Sequence, residues 1–181
     1  MKRSVQSRAI AIGDDTSVSS PSIVIRRVSA EAPEAARLLA DYEAELLARG
    51  RPFSPLDPPA GSGGMRVEVH EMEPPGGTFL LALEGEAPVA CGGLRTLAPG
   101  LGEVKRMYVA PHARRRGHAS RLLAALEDAA RELGHARIRL DTNAAQPEAL
   151  ELYATRGYAE IPDYNGSPTA THWFEKRLDD R

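Results

Sequence analysis

The feature that most limits what this chain can fold into runs from Glu103 to Leu133. A short apolar strand, Glu103–Val109, leads to a turn carrying three arginines and a glycine, Arg114-Arg115-Arg116-Gly117, and the turn opens directly into an amphipathic helix. The start of a helix leaves backbone N–H groups without intrahelical partners, and the aligned peptide dipoles favour negative charge there. Gly117 permits the backbone angles that aim successive N–H groups inward, and Ala119 is small enough for a ligand to lie close to the main chain. The N–H groups of Arg115 to Ser120 therefore form a candidate phosphate clamp. Hydrogen bonds to a charged partner are worth roughly 1.5–3 kcal/mol each, so several together anchor firmly. The Gly-Lys-Ser/Thr ending of a triphosphate loop is missing, as is the Gly-x-Gly-x-x-Gly turn of dinucleotide binders.

Charge supports a local anion site rather than a nucleic-acid surface. The whole chain carries −2, while Glu103–Arg139 holds nine Lys/Arg against four Asp/Glu, about +5. No broad basic face with interleaved aromatics accompanies that run, so no nucleic-acid partner is expected. No apolar run reaches the ~20 residues of a membrane span, and no apolar core follows the basic N-terminus, so neither a membrane nor a secretory role is expected. The single cysteine, Cys91, rules out an internal disulfide framework, and the expected compartment is the reducing cytoplasm. His70, His112 and His118 lack metal-ligand spacing, so no metal is expected.

With 181 residues the chain is the size of one ordinary domain. Residues 1–21 are polar and aperiodic and read as a flexible arm, leaving 22–181 as the single domain. Ile23–Ile25 reads as a strand. Ala35, Leu38, Leu39, Tyr42 and Leu46 fall at helical spacing, with Gly50 as the stop. Residues 51–77 form a Pro- and Gly-rich substrate-side loop with a helical turn or short strand near Met65–His70. Strands follow at Thr78–Leu83 and Val89–Leu97, turning at Glu84-Gly85-Glu86, and with Glu103–Val109 they should be antiparallel neighbours. After the long helix, Arg137–Thr142 should lie parallel to Glu103–Val109. A short helix from Pro147 and strands at Tyr158–Ile161 and His172–Leu178 complete an α/β (α+β) arrangement. It is a mixed, mainly antiparallel sheet of about six to seven strands with helices on both faces.

The six residues Arg114-Arg115-Arg116-Gly117-His118-Ala119 match the Gln/Arg-x-x-Gly-x-Gly/Ala turn of the GNAT superfamily of acetyl-CoA-dependent N-acetyltransferases, and the chain resembles that superfamily. Val109-Ala110-Pro111 before the turn adds to the likeness. So does Ala149…Leu152-Tyr153…Gly157-Tyr158 after it, which fits an Ala-x-x-x-Tyr-x-x-x-Gly-Phe/Tyr pattern. One position departs: where many members carry Asn three residues before that Ala, this chain has Gln146, with Asn143 close by.

The resemblance implies acetyl-CoA as co-substrate and direct attack by a primary amine of a small molecule in a ternary complex. A protein or peptide acceptor, or a non-catalytic CoA-binding sensor module, are the other readings, and a homodimer is allowed. It assigns the CoA contacts to Met107, Tyr108, Val109, Arg114, Arg115, Arg116, Gly117, His118, Ala119, Ser120, Asn143 and Gln146. Catalysis falls to Glu103, as a base acting directly or through water, and to Tyr153, as the acid protonating the departing thiolate. The bland alternatives are an ion pair of Glu103 with Arg95 and a core position for Tyr153. Lys105 and Arg106 are adjacent in a strand, so alternation places one cation on each face. One of them, with Tyr164 and Asn165 from the 162–170 loop, is a candidate acceptor contact. Cys91, in an apolar strand, reads as a core residue rather than a nucleophile.

Overall fold

A computed structural model describes residues 23–50 and 69–178. The expected arm at 1–21 and most of the 51–77 loop lie outside the described residues; of the turn near Met65–His70, a 3₁₀ turn at His70–Met72 is seen.

The chain orders itself as β1 (Ile23–Val28), α1 (Pro33–Ala48), β2 (Gly77–Glu84), β3 (Ala87–Ala98), β4 (Leu101–Val109), α2 (His118–Glu132), β5 (Arg137–Thr142), α3 (Pro147–Thr155), β6 (Ala159–Ile161) and β7 (His172–Arg177). The seven strands form one sheet in the order β1-β2-β3-β4-β5-β7-β6. Every neighbouring pair is antiparallel except β4 with β5. That exception follows from the connection, because a helix must carry the chain back across the sheet between them.

The sequence period dictates which residues each face buries. In α2, Leu122, Leu123, Leu126, Ala129 and Ala130 fall on one stripe and are fully buried. They pack on Leu80, Ala82, Ala90, Leu94, Val104, Ile138 and Leu140, with α3 joining the same face through Leu152 and Tyr153. The opposite face of the sheet, with Phe79, Leu81, Leu83, Cys91 and Tyr108, is covered by Leu38 and Leu39 of α1 and by Met72. Helices on both faces explain why β2 is buried almost from end to end instead of alternating.

Two departures from regular pairing shape the middle of the sheet. The parallel ladder of β4 with β5 holds only for Leu101↔Arg137, Gly102↔Ile138 and Glu103↔Arg139. Beyond Glu103 the two strands separate while β4 stays paired to β3. Along that paired edge, Cys91 faces Tyr108 and Gly93 faces Lys105, so Gly92 alone stands opposite both Arg106 and Met107. This is a β-bulge, and Arg106 adopts φ 58 in it. The bulge interrupts the regular alternation behind the expectation of one cation on each face, and both Lys105 and Arg106 line a cavity at the split between β4 and β5.

Candidate active site

The phosphate turn begins where β4 ends. Pro111–Ala113 makes a 3₁₀ turn, Arg115 takes φ 63, and Gly117 takes φ 77 as the residue before α2. A Cβ on Gly117 would meet nothing within 4 Å, so glycine is required for the backbone angle and not for space. Among the described residues no side chain caps α2, so its first N–H groups lack side-chain partners, and Gly117, His118 and Ala119 at its start line the adjacent cavity.

The arginine side chains do something other than line the clamp. Arg114 donates through Nε to the Val109 carbonyl at 2.9 Å and pairs with Glu45 of α1. Arg116 pairs with both oxygens of Glu84, at 2.8 and 3.0 Å, and the buried ring of His118 lies 3.4 Å from the same carboxylate. Burial would raise the Glu45 carboxyl, but Arg114 and Arg49 hold it below its ordinary value; Arg116 does the same for Glu84. These pairs fix the turn to α1 and β2. The anion site is therefore a backbone cradle with Arg115 beside it.

That cradle is one end of a cavity of about 530 Å³ lined by Arg115, Gly117, His118, Ala119, Tyr108 and Val109, among others. Arg114 also borders it, while Arg116, Ser120 and Asn143 do not. Asn143 instead ties the neighbouring loop, donating to the Thr169 carbonyl at 2.9 Å and accepting from the Ala145 N–H at 2.7 Å. Gln146 precedes α3, accepts from Thr142 Oγ1 at 3.2 Å, and reaches both this cavity and a second one.

The second cavity, about 330 Å³, opens where β4 and β5 separate. The two share Tyr42, Leu46, Met107, Gln146, Ala149 and Tyr153, so they meet at the split in the sheet. Its wall is polar, with Arg95, Lys105, Arg106, Asp141, Asn143 and Asn165. Beneath it lies Glu103, with no exposed surface. Glu103 accepts from Arg95 Nε at 2.6 Å on one oxygen and from the Tyr164 hydroxyl at 2.6 Å on the other. Lys105 Nζ stands 3.8 Å from Glu103 and 2.9 Å from Asp141. The ion pair with Arg95 is thus present, and Glu103 does not itself border the cavity. Burial, with the Glu103 charge beside it, pushes the Tyr164 phenol far above its ordinary value, so that hydroxyl stays a donor. Asn165 bridges towards Asp141 at 3.4 Å and accepts from Trp173 Nε1 at 2.8 Å.

Asp141 is a carboxylate that the residue pattern alone did not single out. A signal was available: the parallel register pairs Glu103 with Arg139, and two residues further along each strand stand Lys105 and Asp141. The Gly92-Gly93 pair likewise marks β3 as a strand with a bulge or a close neighbour.

Tyr153 sits on α3 at the junction, almost fully buried, with ring contacts to Tyr158 and Phe174 at 5.7 and 5.8 Å. Burial chiefly, with Tyr42 and Asp141 nearby, raises its phenol well above the ordinary value of 10.0. Cys91 lies on the far face against the core, its thiol pushed up to about 12 by burial. Among the described residues, no three His, Cys, Asp or Glu side chains come together as a metal site, and no helix is long and apolar enough to cross a membrane.

A mixed seven-stranded sheet, split between its parallel strands and followed by a backbone anion cradle, defines the acyl-CoA N-acyltransferase class of fold. The chain belongs to the acetyltransferase (GNAT) family, whose model matches residues 39–158. A relative named IAA acetyltransferase, from Azospirillum brasilense, is 35% identical over 95 residues, covering 52% of this chain and 62% of that relative. The chain therefore aligns with somewhat under two thirds of that protein's length. The fold matches a GNAT-family acetyltransferase of Staphylococcus aureus Mu50 with a TM-score of 0.70 at 19% identity, covering 87% of this chain and 99% of the other. It also matches the PaiA N-acetyltransferase of Thermoplasma acidophilum, solved in complex with coenzyme A, with a TM-score of 0.66 at 18% identity, covering 86% and 99%.

Proposed function

We propose that this chain transfers the acetyl group of acetyl-CoA to the primary amine of a small molecule, by direct attack within a ternary complex. The observation that carries the reading is the meeting of two unlike cavities at the β4–β5 split. One has an anion cradle at its far end and the other a charged wall, and Met107 and Tyr153 stand between them. The uncapped start of α2 and the 530 Å³ cavity beside it fit a nucleotide pyrophosphate and its arm. Acetyl-CoA supplies the activated thioester.

The remaining tasks fall to this chain. The open edge of β4 over Met107–Val109 offers main-chain N–H groups to polarise a carbonyl lying along the split. The Tyr153 hydroxyl, its pKa raised by burial, is protonated at neutral pH and stands at the junction as the donor to a departing thiolate. An acceptor entering from the polar cavity must lose a proton before its nitrogen attacks. A lysine-like amine near pKa 10.4 is neutral at pH 7 at a cost of about 4–5 kcal/mol, an α-amine near 8 at about 1 kcal/mol. Asp141 at the wall takes that proton directly, while Glu103 beneath is reached through water or the Tyr164 hydroxyl. As the C–N bond forms the C–S bond breaks; the attacking nitrogen sheds its second proton, which restores the Tyr153 phenol, and the products are an acetamide and the free thiol.

The size of the polar cavity favours a small acceptor. So does the family relative named for IAA, a small molecule. The test is thiol release from acetyl-CoA across amino acids, polyamines, aminoglycosides and peptides, with product mass read in parallel. Acetylation of one or more small amines is expected. Acetylation of peptides alone would transfer the reading to a protein-modifying enzyme. Tight CoA binding with no turnover of any amine would make the chain a binding module.

A further inference from the structure

The polar cavity carries information about the acceptor itself. Resting on the acetyl-transfer reading above, we propose that the acceptor bears a carboxylate next to its amino group, as an α-amino acid does. Lys105 and Arg106 hold the carboxylate, and Asp141 faces the amine.

Three observations lead there. The first is the bulge. Arg106 occupies a left-handed backbone position that glycine ordinarily fills, and both Arg106 and the adjacent Lys105 line the polar cavity. The second is the Lys105–Asp141 pair, 2.9 Å apart, each side chain about one-seventh exposed at 15% and 14%. It presents a positive and a negative charge side by side to the same enclosed space, the mirror of a ligand whose ammonium and carboxylate share one carbon. The third is the fixing of the surroundings. Arg95 is committed to Glu103 and Glu71, and Tyr164 to Glu103. Arg106 adds a planar guanidinium suited to two parallel bonds with a carboxylate. The cavity continues to Met107 and Tyr153, so an amine beside the anchored carboxylate lies on the path to the split.

The test compares initial rates for α-amino acids with those for the corresponding α-carboxamides, which keep the amine and lose the negative charge. Loss of a charge-assisted contact is expected to raise KM at least about ten-fold for the amides in the wild-type enzyme. Lys105→Gln and Arg106→Gly should each shrink the acid-over-amide preference in KM to within about two-fold. Glycine suits the left-handed position, so Arg106→Gly keeps the bulge while removing the guanidinium. Equal KM for acids and amides in the wild type would overturn the proposal and leave acetyl transfer standing. If no amine is turned over, calorimetric titration of the same pairs into the CoA-saturated protein decides the point. Binding of acids but not amides supports the assignment although the transfer reading falls. Equal binding, or none, overturns it.

Discussion

At the scale of single residues, Tyr153 and Cys91 carry opposite expectations. Tyr153→Phe removes one hydroxyl from a ring that keeps its contacts with Tyr158 and Phe174, so the fold should survive. General-acid assistance is worth roughly 10²–10⁴-fold, and kcat should fall about 10²-fold with KM for acetyl-CoA nearly unchanged. Steady-state kinetics of the purified variant check this. The pH profile gives a second reading. The Tyr153 phenol is raised above 10.0 and so remains protonated where a free tyrosine would begin to ionise. In the wild type kcat should rise as the amine deprotonates and show no descending limb below pH 10. Cys91, with its thiol near 12 and no exposed surface, should not react with a thiol reagent at pH 8 until the protein is unfolded, and Cys91→Ala should keep its turnover. A native-state reaction at Cys91 with loss of activity would reopen it as a nucleophile.

At the scale of elements, the turn into α2 is the part most dependent on one residue. Gly117 has φ 77 and open space around its missing side chain, so Gly117→Ala acts through backbone strain alone. The variant should lose about 1 kcal/mol in urea denaturation and bind CoA at least about ten-fold more weakly by calorimetry, because the clamp N–H groups turn away. Undiminished CoA affinity would place the anion site elsewhere. This element was readable in the sequence because its determinants are local: an apolar strand, a glycine and a helical stripe within thirty residues. The three hairpin-joined strands and the parallel neighbour after the helix were readable for the same reason, through their short turns and the helical crossover. The side-chain partners were not. The ion-pair partners of Arg114 and Arg116, Glu45 and Glu84, are distant in sequence and leave no local sign. The bulge at Arg106 leaves no compositional mark on its own strand, since the residue in the left-handed position is not glycine. Asp141 escaped because a carboxylate on a strand gains its meaning only from the strand beside it.

At the scale of the whole molecule, the sheet is continuous everywhere except at its one parallel pairing, which ends at Glu103↔Arg139. In the proposed reaction the co-substrate arm and the acceptor approach that opening from its two sides, both ligands are present together, and no covalent acetyl-enzyme forms. Initial rates measured while both acetyl-CoA and an accepted amine are varied test this most directly, with intact-protein mass recorded after incubation with acetyl-CoA alone. The account predicts intersecting double-reciprocal lines and an unmodified protein. Parallel lines together with an acetylated protein would contradict it.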